Sequence, residues 1–143
     1  MTDLRLERAL DAPPEAVFSY LTEHGKLMQW WGPEGMTLPD VALDFSRPGP
    51  WFSVMQSAEG QKFKVSGQVT TVRPHERVAF TWAWHDAEDR RGPESQVVID
   101  LEPLPDGRTR LILNHYELGD DESARNHSKG WTSSLNKLER QFR

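Results

Sequence analysis

Two histidines and a set of large aromatic side chains are the residues of this sequence best placed to do chemistry. His115 follows Leu111 and Leu113 at alternate positions, the spacing of one face of a β-strand. His127 stands four residues before Trp131, one turn earlier on a helix. If both faces look into the same interior, the two imidazoles meet there. An imidazole titrates near neutral pH, so the pair could hold the polar end of a ligand or act as acid and base. Phe18, Phe63, Phe80, Trp82, Trp84 and Trp131 also fall on inward-pointing faces. Trp30 and Trp31 stand side by side; as neighbours diverge by about 100° on a helix, one ring is expected inside and the other under a loop. Such rings either fill a core or wall a cavity for a flat or apolar molecule.

Other chemistries find little footing. There is no cysteine among the 143 residues, so disulfides and thiolate catalysis are excluded. No HExxH motif or third ligand beside the histidines suggests a metal, and neither a phosphate-binding loop nor a dinucleotide fingerprint suggests a cofactor; none is expected. Ser128, Ser133 and Ser134 lack the context of a nucleophile elbow. A net charge of −5 argues against a nucleic-acid surface. No apolar run approaches the ~20 residues that span a bilayer, and the N-terminal MTDLRLERALD is too charged for a signal peptide. A cytoplasmic domain is expected, with nothing to separate monomer from homodimer.

The elements that must position these residues follow from periodicity. At the C-terminus, Ala124, His127, Trp131, Leu135, Leu138 and Phe142 form one stripe at steps of three and four, which predicts an amphipathic helix over 120–143. Asp120 to Ser123 supply its N-cap and first-turn negative charge. Gly130 interrupts it at a cost of about 1 kcal/mol relative to alanine, which suggests close approach of a neighbouring group. Upstream, residues 3–10 alternate as a strand with Arg8 on the apolar side, where it needs Asp100 or Glu102 as partner or a place at the sheet edge. Asp11 to Glu15 open a short helix, and Lys26 to Trp31 form a second. Pro33 to Pro39 read as loop. Six strands follow, over 41–45, 51–56, 63–69, 78–84, 97–101 and 111–115, joined by hairpin turns. Gly67 inside its strand suggests a bulge or bend. Residues 86–94 form a charged loop. The order is β-α-α-β6-α: an α+β domain over 1–143 in which a curved antiparallel sheet of about seven strands grips the long C-terminal helix, with the first strand free to pair with the seventh.

This pattern resembles the START-like helix-grip superfamily, and within it the homologues of the heat-shock protein 90 ATPase activator's C-terminal domain. The resemblance rests on Arg8 with Asp11-Ala12-Pro13, Val17, Trp30-Trp31-Gly32-Pro33, Arg47-Pro48-Gly49 and Pro74-His75-Glu76-Arg77. It continues through Phe80-Thr81-Trp82, Thr109-Arg110-Leu111 to His115, and His127, Gly130-Trp131, Leu135 and Leu138. Pro50 departs from the family's usual glycine. The resemblance implies a cavity between sheet and helix that often takes apolar small molecules. With it, the expected ligand contacts are Phe18, Trp30, Phe63, Phe80, Trp82, Trp84, Leu111, Leu113, His115, His127, Trp131 and Leu135. The favoured reading is non-catalytic binding of an apolar or aromatic small molecule. A co-chaperone-like module meeting a chaperone is the alternative, although the eukaryotic activator carries a further N-terminal domain with no counterpart in this sequence. A small cyclase or hydrolase using His115 and His127 comes third.

Overall fold

A computed structural model describes residues 3–142. Arg143, the last residue of the expected C-terminal helix, lies outside them. The elements run β1 (Leu4–Leu10), α1 (Pro14–Thr22), α2 (His24–Leu27), β2 (Thr37–Ala42), β3 (Gly49–Gln56), β4 (Lys62–Arg73), β5 (Arg77–Trp84), β6 (Ser95–Pro103), β7 (Thr109–Tyr116) and α3 (Asp121–Arg140). The strands form one seven-stranded antiparallel sheet in the order β1-β7-β6-β5-β4-β3-β2. Consecutive hairpins set that order. β1, set apart by the helices, closes onto β7 with Leu6 opposite Leu113 and Leu4 opposite His115. It is an edge strand, and Arg8 is accommodated there by donating to the Glu7 carbonyl at 2.9 Å. Asp100 pairs instead with Arg77, its cross-strand neighbour, and Glu102 with Arg110.

α3 begins where its caps dictate: the Asp120 carboxylate accepts from the Ser123 N–H at 2.7 Å, with Asp121 and Glu122 in the first turn. Its stripe buries Trp131, Leu135 and Leu138 in one core with Leu10, Phe80, Val97, Leu111 and Leu113. The amphipathic pattern thus puts the helix on the sheet's apolar face, as its periodicity predicts.

Three local expectations are corrected. The second helix ends at Leu27 rather than Trp31, and the chain reaches Trp31 through tight turns in which Gln29 and Trp30 donate three residues back. Both indoles are buried, at 1% and 3% exposure, because the turn lies between two layers: Trp30 donates to Tyr20 O on α1, Trp31 to Ser53 Oγ on β3. β2 spans 37–42, not 41–45. Pro39 made the segment look like loop, but β2 is an edge strand and an edge tolerates a missing donor. The ladder ends early because the Phe45 N–H turns away to the Thr22 carbonyl.

The β4–β5 register runs unbroken past Gly67, from Ser66 opposite Ala83 to Val69 opposite Phe80, and shifts only between Val69 and Thr71, so the bulge expected at the glycine lies beyond it. What Gly67 allows is close approach of β5, where the Gln68 N–H is taken by the Thr81 hydroxyl at 2.8 Å. A Cβ at position 67 would lie 2.0 Å from the Thr81 carbonyl oxygen, a backbone atom that also accepts the Trp51 indole. Gly67→Ala should therefore lower the unfolding free energy by at least about 2 kcal/mol in urea titrations. Gly25→Ala, in α2 with nothing within 4 Å of the added methyl, should leave it unchanged or slightly raise it.

Candidate functional site

The aromatic residues converge on one place. Trp31 is the hub: its ring centroid lies 5.5 to 6.2 Å from those of Phe45, Trp51, Phe80, Trp82 and Trp131. Mutual tilts from 47° to near perpendicular suit ring edges meeting ring faces. The lattice does not fill all the space under α3. A cavity of about 620 Å³ opens between the helix, β5 and the 31–36 turn. Trp31, Trp82 and Trp131 supply its inner wall and Phe63, Trp84, Met36 and Met55 its sides; exposed Asp120, Glu122 and Asn126 stand at its mouth.

The expected contacts divide. Phe63, Trp82, Trp84, His127 and Trp131 line the cavity. Phe18 does not: it packs edge-on against His75, at a centroid distance of 5.7 Å. Trp30 sits behind Trp31, and Phe80 lies beneath it against Phe45, their centroids 4.7 Å apart. Leu111, Leu113 and Leu135 are sealed in the core at 0 to 1% exposure. His115, fully buried, stands one layer behind the wall. Periodicity gives the face a side chain is on but not its depth, so the sequence groups these residues with the wall. Trp31, Met36, Met55 and Gly130 join the lining without being among the expected contacts. The paired tryptophans carry a signal for Trp31, and Gly130 stands out in the sequence without showing its role. A Cβ on Gly130 would meet only Pro33 Cγ, at an ordinary 3.7 Å. Close approach therefore does not explain the glycine; what it faces is the cavity.

The histidines do converge, with ring centroids 5.0 Å apart and planes at 77°. Each is locked by hydrogen bonds. The Trp131 indole donates to His115 Nδ1 at 3.1 Å. An indole can only donate, so Nδ1 carries no proton and Nε2 must. Nε2–H donates to Ser95 Oγ at 2.7 Å, and that hydroxyl donates to Trp82 O at 3.1 Å. His127 is the opposite tautomer: Nε2 accepts from the Trp84 indole at 2.9 Å, and Nδ1–H donates to Ser123 O at 2.7 Å. Burial, with His127 beside it, pushes His115 from 6.5 down to about 3. Burial also lowers His127, opposed by the Ser123 carbonyl. Both rings are neutral at neutral pH with every nitrogen engaged, which leaves neither a free base nor a free acid facing the cavity. Trp82 contrasts with the other tryptophans, whose indole N–H groups are all accepted by oxygen or nitrogen. Its own is buried without such a partner and surrounded by rings.

The turn over the cavity is tied to α3. Lys137 Nζ donates to the carbonyls of Gly32 at 3.0 Å and Trp31 at 3.4 Å, Ser133 Oγ accepts from the Glu34 N–H, and Glu34 pairs with Arg140. Burial lowers the Lys137 pKa. Among the described residues no group of three or more histidine, aspartate or glutamate side chains could hold a metal, and no helix is long and apolar enough to cross a membrane.

Residues 11–143 match the model of the family described as activator of Hsp90 ATPase homolog 1-like protein. The chain belongs to this family. Its fold is shared with solved members and neighbours. An AHSA1 protein from Silicibacter pomeroyi is 56% identical over 98% of this chain and 96% of its own, with a TM-score of 0.93. A protein from Nitrosomonas europaea is 30% identical over 96% and 92%, with a TM-score of 0.77. One from Chromobacterium violaceum is 27% identical over 99% and 98%, with a TM-score of 0.83. No match was found among curated proteins. Family and structure agree on the seven-stranded antiparallel sheet and long C-terminal helix of the helix-grip fold.

The lock on His115 has a pH signature. The native state holds this ring neutral, whereas the unfolded chain takes up a proton near 6.5. More protons are bound unfolded than folded between those limits, so stability is full above 6.5 and is lost as pH falls toward 3. The slope contributed approaches roughly 1.4 kcal/mol per pH unit well below the unfolded value. Urea midpoints should fall across this window while the imidazole nitrogen resonances of His115 keep the neutral Nε2–H pattern at pH 5. A His115 that titrates near 6.5 in the folded protein would refute the tautomer assignment.

Proposed function

We infer that this protein binds a flat, apolar small molecule, without transforming it, in the cavity between the sheet and α3. The observation that carries this reading is a space of about 620 Å³ beside an otherwise closely packed aromatic core. Aromatic rings and two methionine side chains make up the apolar part of the wall, and such surface gains roughly 2.5 kcal/mol for each 100 Å² removed from water. Gly130 supports it further. A glycine in the third turn of a helix is unfavourable by about 1 kcal/mol, and here it leaves open volume that a larger side chain would occupy. The locked histidines weigh against an acid–base enzyme. Helix-grip membership is compatible with a binding role, and a cysteine-free chain is compatible with a cytoplasmic setting.

The family's description names an Hsp90 ATPase activator, which supports a second reading as a co-chaperone-like module. In that reading the partner meets the outer surface and the cavity is incidental.

Gly130→Phe separates the two. The added ring should occupy the cavity and abolish quenching of tryptophan fluorescence by ethylnaphthalene, with the melting temperature retained. Gly130→Ala should raise stability by about 1 kcal/mol and preserve binding. Unaltered quenching in Gly130→Phe would place the binding site elsewhere.

A further inference from the structure

We propose that the cavity selects lipophilic cations: a flat apolar body against Trp31, Trp82 and Trp131, with an ammonium or quaternary ammonium head at the mouth beside Asp120 and Glu122. This deepens the binding reading above and rests on it. Three observations converge. The body site is lined by three indoles set at steep angles to one another, and the negative quadrupole of an indole face attracts a cation as well as stacking on a flat ring. The only charged side chains lining the cavity are Asp120 and Glu122; among the described residues no lysine or arginine reaches it. His127, the other titratable group on the wall, is held neutral by burial and by its bonds to Trp84 and Ser123, so it adds no positive charge.

Two contributions oppose the assignment, and the first is Lys137, whose ammonium sits on the carbonyls of Trp31 and Gly32 in the turn over the cavity. The second is the N-terminus of α3, which reaches the mouth and carries the equivalent of about half a positive charge. Asp120 answers part of this by capping the Ser123 N–H, and its carboxylate keeps further acceptor capacity. Glu122 is exposed, with its carboxylate in the first turn. Two full negative charges stand against the half charge of the helix end and the one charge of Lys137, whose ammonium is engaged by two backbone carbonyls, so the balance at the mouth stays negative. A carboxylate ligand would have to sit in that field with no basic side chain to receive it. A neutral ligand would gain the stacking alone.

Isothermal titration with three probes of one body tests this: ethylnaphthalene, naphthylmethyl-trimethylammonium and naphthylacetate. The ammonium should bind about tenfold more tightly than the neutral compound, and naphthylacetate about tenfold more weakly. Added salt should erode the ammonium's advantage. In the double variant Asp120→Asn, Glu122→Gln the advantage should shrink by about threefold or more while ethylnaphthalene affinity stays put; asparagine caps a helix as well as aspartate, so α3 should stay folded. Equal affinity for all three probes, or a preference for naphthylacetate, overturns the cation assignment and leaves the binding reading standing. An advantage unchanged in the double variant also overturns it. Binding of none of the three removes both.

Discussion

Hydrogen bonds without spare capacity hold α3 to the sheet at its centre. Trp131 donates to His115, His115 to Ser95, and Ser95 to the Trp82 backbone, so one chain of bonds crosses from α3 through β7 and β6 to β5. Each member uses the role its chemistry allows, and only one tautomer of His115 completes the sequence. Polar groups this deeply buried are costly when unpaired, so the arrangement fixes the helix's rotation and depth more sharply than apolar contacts could. The Trp84–His127–Ser123 bonds repeat the device one turn nearer the α3 N-terminus.

The cavity follows from that constraint. With the helix held by Trp131 and His127, and the 31–36 turn held to it by Lys137, Ser133 and Arg140, the wall residues cannot collapse inward to close the space. Gly130 then leaves open what the locks hold apart. The same bonds that preserve the cavity occupy every imidazole nitrogen, so rigidity and acid–base chemistry compete for the same atoms here. The arrangement has spent the histidines on position.

Much of this was legible in the sequence. The α3 stripe, the alternation in β5 and β7 and the hairpin turns together imply the sheet order, because each element has one apolar face and only one partner able to cover it. The convergence of His115 and His127 was legible for the same reason. Depth was not. Leu111, Leu113, Leu135, Phe80 and His115 share faces with true wall residues but lie one layer behind them, and a period of two or 3.6 carries no information about layers. Trp30 and Trp31 are not told apart by the sequence because they differ only in which layer each reaches from a turn whose path is set by tertiary contacts. Gly130 shows the opposite case: its break with local propensity is legible, but the cause expected for it, close approach of a neighbour, is not the one the structure shows, because the glycine faces the cavity.

Everything proposed for the cavity requires the space beside Trp31, Trp82 and Trp131 to be open and apolar in the folded protein. Xenon enters apolar cavities without needing a polar partner. Crystals pressurised with xenon should show an anomalous peak among these three indoles, absent from crystals of Gly130→Phe. A core with the rings collapsed across that space, and no xenon there, would contradict the account.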